Sequence, residues 1–384
     1  MAARLGETVA KRKGQQRRGN KLVLSLLGLV AVLIIHGRTS DMITDVLDRT
    51  PYLPPAVVQS PPASPPQKKI PLTELTNSAA SSKVECPAPL VPLHDRIVDQ
   101  SSFGPHKIPR LIHIAYIRGT ETPTSRCLPP DLVATVQKWK DNFPSYSFFF
   151  HRDEAVDTLL QQDWPEFPHL AKIMKTCVKF GGAIKIDIWR VLVLYKYGGI
   201  YSDIDEAPSV KFTEDAIQFN DSAFFLSDAW NRPSQWIQAM EAEHPIAYFT
   251  MLEILKRVLA LEDISVIKPV FLTGPDALKF GYGKVLWGEG KEGQTIFDVG
   301  VHDGKFNKRV RKLGKGYTSD YMTQLVAWDA TENITRKERA ARQQNSTHWT
   351  KMIREKREEV VGGPCWDRLY EADLKNSNKP ESLP

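Results

Sequence analysis

The chain has 384 residues, of which 42% are hydrophobic and 25% are charged, and its formal net charge is +6. The positive excess lies at the start, because residues 1–21 carry seven Lys and Arg residues against one Glu and the rest of the chain is balanced. A nucleic-acid-binding surface spread over the fold needs a basic excess. The composition therefore argues against a nucleic-acid partner and allows one large globular domain with extensions.

Cysteine spacing bears on metal binding and on the redox compartment. No C-x-x-C pair is present, which disfavours a structural zinc site. In an oxidising compartment the cysteines could form up to two disulfides, isolated buried thiols are the alternative, and the spacing leaves the pairing open. The cysteines are Cys86, Cys127, Cys177 and Cys365.

An apolar run without charged residues occupies residues 22–35. At about 1.5 Å per helical residue the run is roughly 21 Å long, which is short of a hydrocarbon core of about 30 Å. It fits a cleavable signal peptide, and it also fits an uncleaved signal anchor over residues 22–37 flanked by Lys21 and Arg38. We favour the anchor because no small-residue cleavage site follows the run. Residues 1–21 then form a cytosolic tail, and the remainder of this type II protein lies in the lumen.

Seven prolines within residues 51–66 favour extended backbone conformations. The polar, Ser-rich sequence that follows extends this character, so we predict a semi-rigid stem over residues 38–105; plain disorder would separate a domain from a membrane equally well. A short anchor followed by a stem predicts the Golgi membrane, with the endoplasmic reticulum as second choice. Three N-x-S/T sequons fit a lumenal domain, at Asn220, Asn333 and Asn345.

A folded domain is predicted over residues 106–370, followed by a flexible tail over residues 371–384. Strands alternating with helices indicate an α/β fold with a largely parallel sheet, and such sheets bind ligands at the carboxyl ends of their strands. The predicted strands span 111–116, 147–150, 200–202 and 223–226. The predicted helices run from a cap at Asp131 to Asn142, onward from a cap at Asp153, and over 183–197.

The helix predicted over 183–197 combines an apolar surface with two charges. Its second half is apolar nearly all round, so we expect it to be buried. Asp187 and Arg190 are three residues apart and share another face. A buried charge needs a partner, so they form either a structural ion pair or a pair that faces a polar ligand. The apolar face comprises Ile184, Ile188, Val191, Leu192 and Tyr195.

Two carboxylates follow the next strand as Asp203-Ile204-Asp205. At a strand period of two, both carboxylates project to one side and Ile204 points into the core. Hard oxygen ligands at a strand end suit Mn²⁺ or Mg²⁺, and such an ion could neutralise a diphosphate leaving group. A D-x-D alone is a weak signal because this spacing is common on solvated loops. The preceding apolar helix and the Gly198-Gly199 pair make the context specific.

The block GAIKIDIWRVLVLYKYGGIYSDIDEAP, residues 182–208, resembles the hallmark segment of the glycosyltransferases that contain a D-x-D sugar-binding region. That family includes the fungal initiating α-1,6-mannosyltransferases and the mannosyltransferases of inositol-phosphoceramide. Residues 108–113 resemble the family's first strand, and Thr273-Gly274-Pro275 resembles its T-G-P turn. The clear similarity runs from about residue 108 to 210.

This resemblance implies a GT-A fold, which is a single Rossmann-like nucleotide-sugar-binding domain, with retention of anomeric configuration. It implies that Asp205 ligates Mn²⁺ or Mg²⁺ directly and that Asp203 contacts the donor and reaches the metal through water. Asp187 and Arg190 match positions that hold the donor sugar and diphosphate. The pocket wall would be shaped by Tyr201 and Gly199.

Two departures from the family pattern concern the first strand and the end of the domain. Ile114 replaces the family's Gln, so that contact is lost, whereas Tyr116 replaces a Trp and keeps an aromatic ring for base stacking. His348 loosely matches a closing segment beside the metal and is a candidate third ligand, with an ordinary surface histidine as the alternative. We expect His113, on an apolar strand, to be a core histidine.

The sequence thus predicts a retaining, metal-dependent glycosyltransferase with Asp203, Asp205 and Arg190 as its catalytic residues. The donor would be GDP-mannose or a UDP-sugar (UDP-galactose or UDP-N-acetylglucosamine), and mannose is the first choice for the transferred hexose. The acceptor would be a glycan or a glycolipid. One alternative is an inactive lumenal glycan-binding or scaffold protein on the same fold. Another is a phosphohydrolase with Asp203 as nucleophile, although Ala207 stands where such enzymes carry Thr or Val.

Overall fold

The computed structural model describes residues 69–81, 84–117, 126–178, 182–208, 212–228, 232–260, 269–286 and 299–314, together with residue 365. The predicted cytosolic tail, signal anchor, His348 and flexible tail lie outside these residues. None of the helices in the described ranges is long and apolar enough to cross a membrane.

Seven strands form one central sheet, in the order β4-β2-β5-β7-β6-β9-β8, and β1 pairs with β3 in a small separate sheet. The strands in the described part of the chain are β1 (Val91–Pro92), β2 (Leu111–Ala115), β3 (Cys127–Leu128), β4 (Ser147–His151), β5 (Gly199–Ser202), β6 (Ala223–Ser227), β7 (Pro233–Met240), β8 (Gly300–Gly304) and β9 (Lys308–Leu313).

The central sheet is mixed, whereas the sequence predicted a largely parallel one. β2 runs parallel to β4 and β5, and β6 runs parallel to β9. β7 is antiparallel to both β5 and β6, and β8 is antiparallel to β9. The reason lies in short connections, because only residues 228–232 join β6 to β7 and only 305–307 join β8 to β9. Parallel neighbours need a crossover of a dozen or more residues.

The helices begin close to their predicted positions, but two predicted caps differ. α3 starts after Pro129, which makes no side-chain cap, so Asp131 lies in the first helical turn, where its charge suits the helix dipole. Asp153 is likewise the first residue of α4 and not its cap. The helices in the described ranges are α1 (Leu72–Leu75), α2 (Ser78–Ser81), α3 (Pro130–Asn142), α4 (Asp153–Leu160), α5 (Leu170–Thr176), α6 (Gly182–Tyr197), α7 (Pro245–Leu259), α8 (Pro269–Leu272) and α9 (Pro275–Leu286).

Two hydrophobic clusters pack against the central sheet. Neighbouring strand residues divide between them: Ile200 of β5 belongs to one cluster and Tyr201 to the other, as the alternation of a strand requires. α6 packs in the same cluster as Tyr201, and its residues 187–196 are all buried. The predicted apolar face of this helix is therefore confirmed, and the core fixes the helix on the sheet.

The folded part of the chain begins earlier than the predicted stem boundary at residue 105. Cys86 forms a disulfide with Cys127, and Leu93 is buried. Asp95 accepts a hydrogen bond from the backbone N–H of Phe150 at 2.9 Å. The stem prediction followed Pro and Ser content, which carries no information about the disulfide and the β1–β3 pairing that bring this segment onto the domain.

A second disulfide joins Cys177, at the end of α5, to Cys365 across 188 residues of sequence. Cys365 is fully buried in the same cluster as α6. The pairing that the sequence left open is therefore Cys86–Cys127 and Cys177–Cys365.

Candidate functional site

Most of the predicted site residues that the structure describes lie at one edge of the central sheet. β2 and β5 are parallel, so their carboxyl ends share this edge, where Tyr116 follows β2 and Asp203 follows β5. β7 runs the other way and pairs Ile237 with Ser202, which brings its amino end, including Gln235, to the same edge. Ligands of α/β sheets bind at such an edge.

A turn of two glycines sets the approach of α6 to β5. Gly198 and Gly199 have φ values of 68° and 98°, and a Cβ on Gly199 would lie 2.7 Å from the carbonyl oxygen of Leu111. Arg190 lies about 11 Å before the end of α6, at 1.5 Å per helical residue. Asp203 lies about 13 Å beyond Gly199, at 3.3 Å per strand residue. Arg190 therefore comes level with Asp203 when the chain reverses.

The Arg190 cluster, defined as Asp187, Arg190, Tyr201 and Asp203, is held by short polar contacts. Arg190 Nη2 lies 3.1 Å from Asp187 Oδ1, and Arg190 Nη1 lies 3.3 Å from Asp203 Oδ1. The Tyr201 hydroxyl donates to Asp203 Oδ1 at 2.5 Å. The guanidinium carbon of Arg190 lies 4.7 Å from the centre of the Tyr201 ring. The sequence left open whether Asp187 and Arg190 form a structural ion pair or face a polar ligand. In the structure, Arg190 forms the ion pair with Asp187 and also contacts Asp203 of the D-x-D segment.

Burial and charge act against each other in this cluster. Burial raises the pKa of Asp187 to about 6, although Arg190 and the hydroxyl of Thr273 act to lower it. Burial acts to lower the pKa of Arg190, but neighbouring groups led by Asp203 outweigh it, so this pKa is raised and the guanidinium is charged. Burial, partly opposed by Arg190, raises the pKa of Tyr201 well above its ordinary value, so the hydroxyl stays a hydrogen-bond donor. The cluster is therefore a charged, preorganised group.

The D-x-D residues lie on a turn and not on the strand. β5 ends at Ser202, and the backbone N–H of Glu206 donates to the carbonyl of Asp203 at 3.0 Å. The strand period of two therefore does not place the two carboxylates on one side. Ile204 nevertheless packs against the core, as the sequence predicted. Asp205 is half-buried on the same turn and acts on the pKa of Arg190, which places it in the electrostatic environment of the cluster.

The turn offers a donor set that fits a hard divalent cation. The side chain of Asp203 is 30% exposed, and its Oδ1 is bound by Tyr201 and Arg190. Asp205 supplies a second carboxylate beside it. Groups of three His, Cys, Asp or Glu side chains able to hold a metal by themselves do not occur in the described ranges. Mn²⁺ and Mg²⁺ commonly bind one or two carboxylates and complete their coordination with ligand phosphate oxygens and water, which matches this turn.

Not every predicted residue joins the cluster. Tyr116 lies at the same sheet edge, half-buried, and its backbone N–H donates to the carbonyl of His151 at 3.1 Å. Gly199 lies at the opposite end of β5, where its lack of a side chain permits contact with Leu111. It shapes the turn that positions α6 and is not brought to the cluster.

Two residues of the cluster's surroundings were missed by the sequence analysis. The Thr273 hydroxyl donates to Asp187 Oδ2 at 2.8 Å, and the Gln235 carbonyl accepts from Arg190 Nη1 at 2.8 Å. The T-G-P motif singled out Thr273 without assigning it a contact. Gln235 follows no recognisable pattern, because its contribution to Arg190 is a backbone carbonyl.

His113 is a core histidine, as the sequence predicted. It is fully buried, and its Nε2 lies 3.0 Å from the Gly198 carbonyl while its Nδ1 lies 3.1 Å from His151 Nε2. A carbonyl only accepts, so His113 Nε2 carries the proton and Nδ1 accepts from His151. Burial lowers the pKa of His113 to about 4, so both rings are neutral and tie the glycine turn to β4.

Comparison with known proteins places this site in a recognised sequence region. Residues 129–241 match the family described as "Glycosyltransferase sugar-binding region containing DXD motif". This range includes the whole Arg190 cluster and the D-x-D turn. The resemblance predicted from the sequence is therefore confirmed.

Two curated proteins are similar over shorter stretches. The initiation-specific alpha-1,6-mannosyltransferase of Candida albicans is 35% identical over 69 residues, which are 18% of this chain and 17% of that protein. The mannosyl phosphorylinositol ceramide synthase CSH1 of Saccharomyces cerevisiae is 30% identical over 102 residues, which are 27% of this chain and 24% of that protein. Among solved structures, the PaToxG glycosyltransferase matches with a TM-score of 0.34 and 16% identity, over 56% of this chain and 76% of that chain.

Proposed function

Because residues 129–241 match a D-x-D sugar-binding region, we propose that this protein is a divalent-metal-dependent, retaining glycosyltransferase with a GT-A fold. It transfers a hexose, mannose in first place, from a nucleotide sugar to a glycan or glycolipid acceptor. The observation that carries the proposal is the position of the buried Arg190 guanidinium, within 3.3 Å of Asp203 at the carboxyl edge of the sheet. The names of the two fungal relatives favour GDP-mannose over UDP-galactose or UDP-N-acetylglucosamine as donor.

The donor's diphosphate would lie against Arg190 and the D-x-D turn. Arg suits phosphate oxygens because its guanidinium is planar, always charged and able to donate two parallel hydrogen bonds. Asp205 would hold Mn²⁺ or Mg²⁺ directly, with Asp203 assisting through water and His348 as a candidate further ligand. The bound ion would neutralise charge on the departing diphosphate.

Side chains of this protein hold and orient the charged groups of the proposed donor site. Asp187 and Asp203 hold the guanidinium of Arg190 from two sides, and Tyr201 orients Asp203. Tyr116 supplies an aromatic face for the base. The bond between the anomeric carbon and the diphosphate breaks, and the acceptor oxygen bonds to that carbon from the same face. The acceptor's proton passes to a phosphate oxygen, so the scheme needs no covalent nucleophile.

A location in the secretory pathway is part of the proposal. Two disulfides join all four cysteines, and disulfides of this kind persist in oxidising compartments. This supports a lumenal catalytic domain, with the predicted anchor at residues 22–37 holding a type II protein in the Golgi membrane.

A donor screen on the full-length chain tests the function. We would follow nucleoside diphosphate release from GDP-mannose, UDP-galactose, UDP-glucose and UDP-N-acetylglucosamine, with Mn²⁺ and with chelator. We expect Mn²⁺-dependent release from one donor, and we expect Asp205→Asn to lower its rate by at least about 100-fold, as for loss of a group that stabilises transition-state charge. Asp303→Asn, at an exposed position of β8, is the matched control and should leave the rate unchanged.

The alternatives give different results in the same assay. If the protein releases no nucleoside diphosphate and shows no donor-induced thermal shift, the inactive glycan-binding or scaffold protein is favoured. Phosphate release from a simple phosphomonoester, abolished by Asp203→Asn, would favour the phosphohydrolase. An Asp205→Asn protein with full turnover would contradict the assigned role of the D-x-D turn.

A further inference from the structure

Thr273 connects the T-G-P turn to α6. The residue is fully buried in the turn between α8 and α9. Its hydroxyl donates to Asp187 Oδ2 at 2.8 Å, across 86 residues of sequence. Its backbone carbonyl accepts a hydrogen bond from Gln235 Nε2 at 2.9 Å. Thr273 therefore contacts α6, which carries Arg190, and β7, whose Gln235 carbonyl binds Arg190.

These contacts close a ring of hydrogen bonds around the guanidinium. Arg190 Nη1 donates to the Gln235 carbonyl at 2.8 Å, and Arg190 Nη2 lies 3.1 Å from Asp187 Oδ1. The ring runs from the Thr273 hydroxyl through Asp187, Arg190 and Gln235 back to the Thr273 carbonyl. Three elements distant in sequence (α6, β7 and the T-G-P turn) thereby fix one side chain.

The hydroxyl of Thr273 matters because Asp187 is buried. Each carboxylate oxygen of Asp187 has a donor, Arg190 for Oδ1 and Thr273 for Oδ2. Without the hydroxyl, Oδ2 loses its donor at a position where the residue is only 8% exposed, and a buried acceptor without a donor is costly. The carboxylate would then rotate toward another donor and release Arg190 Nη2.

We propose that Thr273 is a positioning residue of the donor site, which fixes Asp187 and through it the plane of the Arg190 guanidinium beside the D-x-D turn. The inference rests on the proposed function, because the group that Arg190 engages there is the diphosphate of a nucleotide sugar. Thr273 acts through Asp187 and does not itself touch the donor.

Two substitutions separate the hydroxyl from the shape of the side chain. Thr273→Val keeps the shape and removes the hydroxyl, whereas Thr273→Ser keeps the hydroxyl. With GDP-mannose and Mn²⁺, we expect Thr273→Val to lower kcat at least about tenfold while KM for the donor changes less than about threefold, because a misplaced guanidinium costs most in the transition state. Thr273→Ser should stay within about twofold of wild type.

Thr135→Val is the matched control for removing a buried hydroxyl. The Thr135 hydroxyl donates to the Asp131 carbonyl at 3.0 Å within α3, and kcat should not change. A Thr273→Val protein with wild-type kcat, or a Thr273→Ser protein as slow as Thr273→Val, would overturn the proposal.

A second measurement does not depend on activity. We would compare urea midpoints of Thr273→Val and Thr273→Ser in the wild-type background and in the Asp187→Ala background. We expect the valine variant to unfold at lower urea than the serine variant in the first background. We expect this difference to shrink in the second background, where only the longer contact of the Thr273 hydroxyl with the Pro269 carbonyl, at 3.5 Å, remains. An equal difference in both backgrounds would overturn the proposal.

Failure of the wild-type protein to use any donor would count against the proposed function, and the comparison of midpoints would still decide whether Thr273 acts through Asp187.

Discussion

Arg190 carries a positive charge at a position that is only 7% exposed. Such a charge is tolerated when surrounding groups satisfy it, and removing one partner of a buried ion pair costs more than the pair contributes. Here the partners are Asp187, Asp203 and the Gln235 carbonyl. The ring of Tyr201 faces the guanidinium, and its hydroxyl binds the carboxylate oxygen that Arg190 also contacts. Tyr201 therefore contacts Arg190 through its ring and Asp203 through its hydroxyl.

Tyr201→Phe isolates the hydroxyl from the ring. We expect kcat/KM for the donor to fall by about ten- to 100-fold, because a hydrogen bond to a charged group contributes about 1.5–3 kcal/mol, while the ring contact with Arg190 is kept. Steady-state kinetics with the donor identified by the screen measures the effect. Tyr146→Phe is the control, because its buried hydroxyl has no hydrogen-bond partner in the described ranges. Equal kcat/KM for both variants would show that the Tyr201 hydroxyl does not orient Asp203.

At the level of elements, the site depends on a reversal of the chain between α6 and β5. The reversal passes through Gly198 and Gly199, both with positive φ. Gly199 also lies against the backbone of Leu111, and Gly198 against that of Ala242. Since backbone atoms cannot move aside as a flexible side chain can, this reversal admits no larger residue.

Gly199→Ala should destabilise the whole domain. We expect the free energy of unfolding to fall by about 2–5 kcal/mol, from a left-handed residue that costs about 1–2 kcal/mol and from overpacking that costs a further 1–3 kcal/mol. Urea unfolding measures it. Gly104→Ala, where a Cβ would meet nothing within 4 Å, should change stability by less than about 0.5 kcal/mol. If the two variants were equally stable, the close approach to Leu111 would not constrain the turn.

The elements that carry the charges were predictable because they are contiguous and periodic. α6 begins one residue before its predicted start, and β5 also begins one residue early. The contacts of Thr273 and Gln235 were not predictable, because they depend on how distant segments pack. The same holds for the disulfide pairing and for the segment around Leu93, whose composition resembles a stem. β7 escaped prediction because its sequence, PSQWIQAM, mixes polar and apolar residues without a clean alternation.

At the scale of the whole molecule, stability depends on pH through three histidines that are buried in the described part of the chain. Burial lowers the pKa of His113 to about 4, and it lowers the pKa values of His151 and His244 well below their ordinary value. His244 Nδ1 accepts from the backbone N–H of Ile246 at 3.1 Å and so caps α7. Protonation would remove this acceptor. All three histidines therefore serve the fold only as neutral rings.

Stability should fall as the pH falls from about 6.5 to 4. In this range the unfolded chain binds protons that the folded histidines exclude, so acid favours unfolding. For His113 alone, the lowering of its pKa from 6.5 to about 4 corresponds to a loss of about 3 kcal/mol in the free energy of unfolding. Asp187 opposes this effect, because its pKa is raised to about 6 and the folded state takes up its proton first. Among the described residues, this single carboxylate acts against the three buried histidines, so we expect a net loss of stability. Urea unfolding at a series of pH values measures the net effect.

Two variants test the sign of each contribution. Asp187→Asn removes the opposing group, so its loss of stability on acidification should be steeper than in wild type. His244→Gln removes one histidine, so its loss should be shallower. A pH dependence unchanged by either substitution would contradict the assignment of these groups as the source of the acid sensitivity.

The disulfide between Cys177 and Cys365 has a practical consequence for producing the protein. The Arg190 cluster and Thr273 all lie between its two cysteines in sequence. A shortened chain that stops before residue 365 would leave Cys177 as an unpaired thiol beside the core that holds α6, and one that starts after residue 86 would leave Cys127 unpaired. The boundaries for recombinant production are therefore set by these cysteines, and the expression host should be one that secretes the chain through an oxidising compartment.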